Sequence, residues 1–98
     1  MVNSREAILQ ILRGHRSEWE RLGVKSLALF GSAVREDLRP DSDVDILVEF
    51  DGPATFDRYI ELKFRLEALL GRPVDLVTSR ALKPRLRPYV EREATRVS

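Results

Sequence analysis

The spacing of hydrophobic residues along the chain predicts six elements of secondary structure. Apolar residues recur every three or four positions in residues 7–22, with a break at Gly14, and again in residues 56–70. Three shorter runs, Val24–Phe30, Asp43–Phe50 and Pro73–Thr78, have the length and composition of strands. The segment from Pro84 onward is expected to form about two helical turns and then fray. The order α-β-β-α-β-α predicts an α/β fold, a small mixed β-sheet with helices packed on one face.

Polar residues and glycines mark the expected helix ends. Asn3, with Glu6 three residues later, is the expected N-cap of the first helix. Gly23 is expected to end the helical region that precedes the first strand. Thr55 is expected to cap the long helix, and Gly71 to close it.

The second predicted strand has two chemically different faces, because successive side chains of a strand point to opposite sides. One face is apolar and comprises Val44, Ile46, Val48 and Phe50. The other face carries most of the charge and comprises Asp43, Asp45, Leu47 and Glu49. In the third strand, Asp75 should likewise point away from the core. The three aspartates are therefore expected to share the uncovered face of the sheet.

Length and composition limit the possible classes of protein. The chain has 98 residues, enough for one domain, 1–98, with a single core. Its 43% apolar and 34% charged residues are typical of a globular protein, and no apolar run reaches membrane-spanning length. Without a signal-type N-terminus, the expected location is the cytoplasm. The absence of cysteine excludes disulfides and thiolate chemistry, and a net charge of +1 makes direct nucleic-acid binding unlikely.

Asp43 and Asp45 are two carboxylates at positions i and i+2 of one strand. Like charges this close repel each other unless a cation lies between them. Mg²⁺ takes oxygen ligands and commonly joins one or two carboxylates to substrate phosphates, so this pair is a candidate metal site. The alternative is that both are solvated residues that protect an edge strand.

Gly31 and Ser32 follow the first strand, where the chain turns. A glycine lets backbone N–H groups approach phosphate oxygens, and the Ser32 hydroxyl can donate a hydrogen bond to them. The Gly-Lys-Ser/Thr end of a Walker loop is missing. Taken alone, the pair is more typical of an ordinary turn at the end of a strand.

In combination, Leu29–Ser32, Arg35 and Ser42–Val48 resemble the Gly-Ser…Asp-x-Asp signature of polymerase-β-like nucleotidyltransferases. Val74–Val77 resembles the segment that carries the third carboxylate of that family. The likeness covers nearly the whole chain and is greatest to the minimal nucleotidyltransferases that pair with HEPN-type toxins. It implies the palm fold of this family. It also implies catalytic and Mg²⁺-binding roles for Asp43, Asp45 and Asp75, and nucleotide-binding roles for Gly31, Ser32 and Arg35.

The same resemblance implies a function. The chain would transfer AMP from ATP, with Mg²⁺, to a hydroxyl group of a HEPN toxin, with a tyrosine as the expected acceptor, and so act as its antitoxin in a hetero-oligomer. A palm without further domains must obtain its acceptor from a partner. The alternative is a non-catalytic antitoxin that masks the toxin by stoichiometric binding.

Several residues keep more than one interpretation. Asp75 is either a metal ligand that helps to deprotonate the acceptor or a carboxylate paired with an arginine, since its apolar neighbours disfavour a lone charge. Arg35 either clamps phosphate or braces the loop. Val34 and Glu36 depart from the family pattern, and an acid near a triphosphate counts against rapid catalysis.

The basic cluster Lys83, Arg85 and Arg87 has three interpretations. It is a solvated helix end, a contact to the triphosphate or to an acidic partner, or a contact to RNA. Its neighbours Leu86 and Tyr89 favour a partner contact, because aromatic residues and arginine are common interface anchors.

Overall fold

The computed structural model describes residues 4–31, 43–53 and 55–97. The elements are α1 (Arg5–Gly14), α2 (Arg16–Arg21), β1 (Val24–Phe30), β2 (Val44–Phe50), α3 (Phe56–Leu70), β3 (Val74–Thr78), a 3₁₀ helix (Ser79–Ala81), α4 (Arg87–Glu93) and β4 (Thr95–Arg96). The predicted α/β fold with a small mixed sheet is confirmed. Within the described ranges, no helix is both long enough and apolar enough to span a bilayer.

The sheet has the strand order β3-β2-β1-β4. β1 is antiparallel to both β2 and β4, whereas β2 and β3 are parallel. Parallel neighbours need a crossover connection, and α3 supplies it. The register places Asp45 opposite Phe30 on one side and opposite Asp75 on the other.

One face of the sheet carries the hydrophobic core. Val44, Ile46 and Val48 of β2 are fully buried and alternate with the more exposed Asp45, Leu47 and Glu49, as predicted. The helical layer contributes the buried side chains Ile8, Leu9, Leu12, Trp19, Leu62, Leu66 and Leu70. The Trp19 indole N–H donates to the Leu12 carbonyl at 2.7 Å, so this large side chain is buried without losing its hydrogen bond.

Side chains of α3 bond to the edge of β3 that faces away from β2. The Val74 N–H donates to the Glu67 carboxylate at 2.9 Å, and the Tyr59 hydroxyl donates to the Leu76 carbonyl at 2.6 Å. Both backbone groups would otherwise lie open for pairing with another chain. These bonds tie the crossover helix to the strand that carries Asp75.

The helix caps agree with the sequence analysis except at the first helix. The Thr55 hydroxyl accepts from the Arg58 N–H, and Gly71 is left-handed with φ of 67°, as expected for the two ends of α3. The N-cap of α1 is Ser4, whose hydroxyl accepts from the Ala7 N–H at 3.2 Å. The assignment of this cap to Asn3, which lies outside the described residues, was therefore wrong by one position.

The end of the chain does not fray as predicted. Thr95–Arg96 forms β4 beside β1, and the Val97 N–H donates to the Leu27 carbonyl at 2.8 Å. Arg13 of α1 donates to the Val97 and Arg96 carbonyls at 3.2 and 3.0 Å. Val97 is 2% exposed and belongs to the core, so apolar burial and the Arg13 bonds together hold this segment.

Leu66 and Phe64 lie two residues apart on α3 but in opposite environments. Leu66 is 0% exposed, whereas Phe64 is 62% exposed. Leu66→Ala should lower the free energy of unfolding by about 2–5 kcal/mol, because it leaves a cavity in the core. Phe64→Ala should change it by less than about 0.5 kcal/mol. Urea denaturation of both variants measures the difference, and equal losses would contradict this packing.

Candidate active site

The strand directions bring the candidate residues to one end of the sheet, where β1 finishes and β2 and β3 begin. β1 runs antiparallel to β2, so its last residues meet the first residues of β2 and of the parallel β3. Gly31 directly follows β1, Asp43 directly precedes β2, and Asp45 and Asp75 are the second residues of their strands. Residues far apart in the sequence therefore meet where three strand ends converge.

Asp45 and Asp75 are direct neighbours on adjacent parallel strands. Neighbouring strands lie about 4.8 Å apart, and partners in register point to the same side of the sheet. The residues flanking each aspartate are buried on the core side, so both carboxylates lie on the open face. Asp45 is half-buried, and Asp43 and Asp75 are exposed.

The exposure of Asp75 corrects one step of the sequence analysis. Its apolar neighbours Val74 and Leu76 point into the core, whereas Asp75 itself points to solvent. It therefore needs no partner to compensate for burial. Within the described parts of the chain, Asp75 makes no ion pair, so the structural alternative of a salt bridge to arginine has no support there.

Gly31 is in close contact with Asp45. Its φ of 65° lies in the left-handed region, which disfavours any residue with a Cβ. A Cβ added there would overlap the Asp45 Oδ2 atom and lie 3.0 Å from Cγ. Glycine is thus required twice at this turn, for its backbone conformation and for the space occupied by the Asp45 carboxylate. The remaining predicted nucleotide-binding residues, Ser32 and Arg35, lie outside the described residues, as do Val34 and Glu36.

The donor atoms at this end of the sheet suit a hard cation. Asp43, Asp45 and Asp75 offer carboxylate oxygens, with no nitrogen or sulfur donor among them, which is the ligand type that Mg²⁺ prefers. The described residues hold no group of three or more acidic, histidine or cysteine side chains already spaced around a metal position. The in-register partners Asp45 and Asp75 bring two of these carboxylates to the same side of the sheet. Asp43 is an exposed third carboxylate just before β2.

A furrow made of two clefts that share lining residues begins beside Leu47 on the open face and reaches the far ends of β2 and β3. Its first part is a cleft of about 240 Å³ over β1 and β2, with Leu47, Glu49 and Arg96 among its lining residues. Its second part, about 160 Å³, shares Glu49 and Ser79 with the first and continues to Arg80 and Arg87. The sequence analysis missed this furrow, because its lining comes from five separate stretches of the chain.

A family model and a sequence relative both match this chain to nucleotidyltransferases. The family model of the nucleotidyltransferase domain matches residues 9–97. The chain is 46% identical over 93 residues to the protein adenylyltransferase MntA of Thermococcus cleftensis, and the match covers 94% of each chain.

Solved structures share the fold. A protein assigned as a minimal nucleotidyltransferase superposes with a TM-score of 0.83 at 40% identity, covering 94% of each chain. A chain from the complex of a tri-AMPylated Shewanella oneidensis HEPN toxin with its MNT antitoxin matches with a TM-score of 0.65. That match covers 92% of this chain and 71% of the other, and its 22% identity supports a shared fold alone.

Gly31 and Gly71 allow the contact with Asp45 to be tested separately from backbone conformation. Their φ angles are 65° and 67°, but a Cβ at Gly71 would meet no atom within 4 Å. Gly71→Ala should cost about 1–2 kcal/mol, the price of a left-handed alanine. Gly31→Ala should cost about 1–3 kcal/mol more, because the new methyl group displaces the Asp45 carboxylate.

Thermal or urea unfolding of both variants measures this excess. Adding Asp45→Ala to the Gly31→Ala chain should remove most of it, since the overlapping carboxylate is then absent. Equal losses for the two glycine variants would show that Gly31 does not pack against Asp45.

Proposed function

Because the chain belongs to the nucleotidyltransferase family, we propose that it transfers AMP from ATP to a hydroxyl group of a partner protein. The resemblance noted in the sequence is confirmed, and so is the prediction that the chain is an enzyme of the nucleotidyltransferase class. What we propose beyond this is the identity of the substrates, the metal and the acceptor.

One observation carries this proposal: Asp45 and Asp75 lie in register on the open face, with Gly31 packed against Asp45. Two neighbouring carboxylates on a solvent-facing sheet repel each other, and such a pair is useful where a cation is bound. The glycine at this turn lets the backbone approach the Asp45 carboxylate closely, so a phosphate bound by that carboxylate would lie beside the turn. The arrangement therefore fits a triphosphate at the end of β1 and a reacting centre over β2 and β3.

In the proposed reaction, the acceptor hydroxyl oxygen attacks the α-phosphorus of ATP. The bond from that phosphorus to the bridging oxygen of the β-phosphate breaks, and pyrophosphate leaves. We assign removal of the hydroxyl proton to Asp75, whose exposed carboxylate can reach an incoming acceptor. The product is a phosphodiester between AMP and the partner.

Mg²⁺ held by Asp43, Asp45 and Asp75 would neutralise charge on the phosphates and orient them for this displacement. In this proposal Asp45 is the central ligand, because it lies between Gly31 and Asp75. Ser32 and Arg35 are proposed to bind the nucleotide phosphates.

We propose a HEPN toxin as the partner and a tyrosine hydroxyl as the acceptor, so that the chain acts as an antitoxin in a cytoplasmic hetero-oligomer. The Thermococcus relative is a protein adenylyltransferase, and the Shewanella toxin is AMPylated in complex with its antitoxin. The rival function is masking of the toxin without chemistry, and loss of transfer on removing the carboxylates would count against it.

The segment around α4 is the proposed partner contact. Leu86 and Tyr89 are 46% and 65% exposed, and they lie beside the basic residues of this segment. The Arg87 guanidinium donates to the Ser79 carbonyl at 3.0 Å, at the opposite end of β3 from Asp75. That position supports a contact to the partner over a contact to phosphates beside Gly31.

Transfer of radiolabel from α-labelled ATP to a co-purified HEPN partner tests the function. Asp43→Asn and Asp45→Asn should each reduce transfer by at least about 100-fold, because the metal loses a charged ligand. Asp51→Asn is the matched control, since this exposed aspartate follows the other end of β2. All three variants should still bind the partner.

Undiminished transfer by the double Asp43→Asn, Asp45→Asn variant would contradict the proposed site. Absence of transfer by the unmodified protein, together with tight binding that blocks toxin activity, would favour masking.

A further inference from the structure

We propose that the furrow on the open face binds the segment of the partner that carries the acceptor hydroxyl, and that carboxylates of this segment contact Arg96 and Arg80. This inference rests on the proposed transfer to a partner protein. Beyond that function, the inference specifies the surface that binds the acceptor segment and the negative charge of that segment.

The position of the furrow supports a peptide segment. Leu47 lines its near end and is two residues from Asp45 on the same strand, about 7 Å away by strand geometry. Ser79 lines the middle and is four residues from Asp75, about 13 Å along the sheet. A polypeptide that presents a hydroxyl at the two aspartates can therefore continue along the furrow.

The floor of the furrow leaves space for a main chain. Ser26 and Ala28 of β1 and Ala94 before β4 are small, and they line the same cleft as Leu47. The two clefts together exceed the space that a single aromatic ring needs. The first crosses the sheet from Arg96 to Ser79, and the second continues from Ser79 to Gly52 beyond the end of β2. An elongated cavity with a floor of small side chains fits an extended segment better than it fits a nucleobase.

The charges of the furrow favour an acidic segment. Arg96 and Arg80 contribute two positive charges against the one negative charge of Glu49, whose carboxylate lies 4.0 Å from the Lys25 ammonium. Neither Arg80 nor Arg96 forms an ion pair with another described residue. Guanidinium groups bind carboxylates in a bidentate geometry, so acidic side chains are their natural partners.

Arg96 is held in place despite its position near the end of the sequence. It pairs with Ala28 of β1, and its carbonyl accepts from the Arg13 guanidinium at 3.0 Å. The adjacent Val97 is buried in the core. Because the backbone on both sides of its Cα is fixed, the Arg96 side chain projects from a defined point on the open face.

Two charge reversals, Arg96→Glu and Arg80→Glu, test the inference with the purified HEPN partner. Each should raise the KM for the partner about tenfold and weaken partner binding by a similar factor. The kcat at saturating partner should stay within about twofold, and ATP affinity should not change, since the proposed nucleotide position beside Gly31 lies apart from both residues. Arg21→Glu is the matched control, because this exposed arginine lies on α2, in the helical layer.

A smaller substitution and a compensating change in the partner distinguish the loss of a contact from misfolding. Arg96→Gln should give an intermediate rise in KM with an unchanged melting temperature. Replacing an acidic residue near the acceptor of the partner by lysine should restore binding to the Arg96→Glu chain.

Unchanged partner binding in both charge-reversed variants would overturn the inference. So would a loss of ATP affinity with unaltered partner binding, which would assign the furrow to the nucleotide. Partner binding is measured independently of AMP transfer. Failure of the proposed chemistry can therefore be distinguished from failure of the furrow assignment.

Discussion

The register between β2 and β3 is the constraint on which the site depends. It pairs Asp45 with Asp75 and is determined by the apolar residues on either side of each aspartate. A slip of one residue would turn Asp75 into the core and Val74 and Leu76 out to solvent. Burying a carboxylate among the apolar side chains of α3 would cost several kcal/mol, on the order expected for an unpaired buried charge. Core packing thus fixes the position of a polar site that it does not touch.

The crossover helix reinforces that register. Glu67 and Tyr59 bond the outer edge of β3, and Leu62, Leu66 and Leu70 of the same helix fill the core beneath the sheet. On the far side, Arg13 and Val97 hold β4 against β1. A small domain can therefore present an open, charged sheet face because the helical layer and the two edges supply its stability.

The candidate site was predicted from the sequence where short-range rules decide the geometry. The alternation along β2 placed Asp45 on the open face, and the apolar residues around Asp75 did the same for β3. β4 was missed because two residues carry no measurable periodicity, and it exists through the long-range contacts of Arg13 and Val97. The furrow was missed for a related reason: Arg96 and Leu47 line one cleft because β1 pairs with both of their strands, and no local pattern indicates this.

Crystals of the protein grown with Mn²⁺ and a non-hydrolysable ATP analogue test the central claim most directly. Anomalous scattering locates the ion without reference to the fold. The account predicts a peak about 2.0–2.2 Å from carboxylate oxygens of Asp45 and at least one of Asp43 and Asp75, with phosphate oxygens completing the shell. Nucleotide bound at another face, or an ion that contacts none of these aspartates, would contradict it.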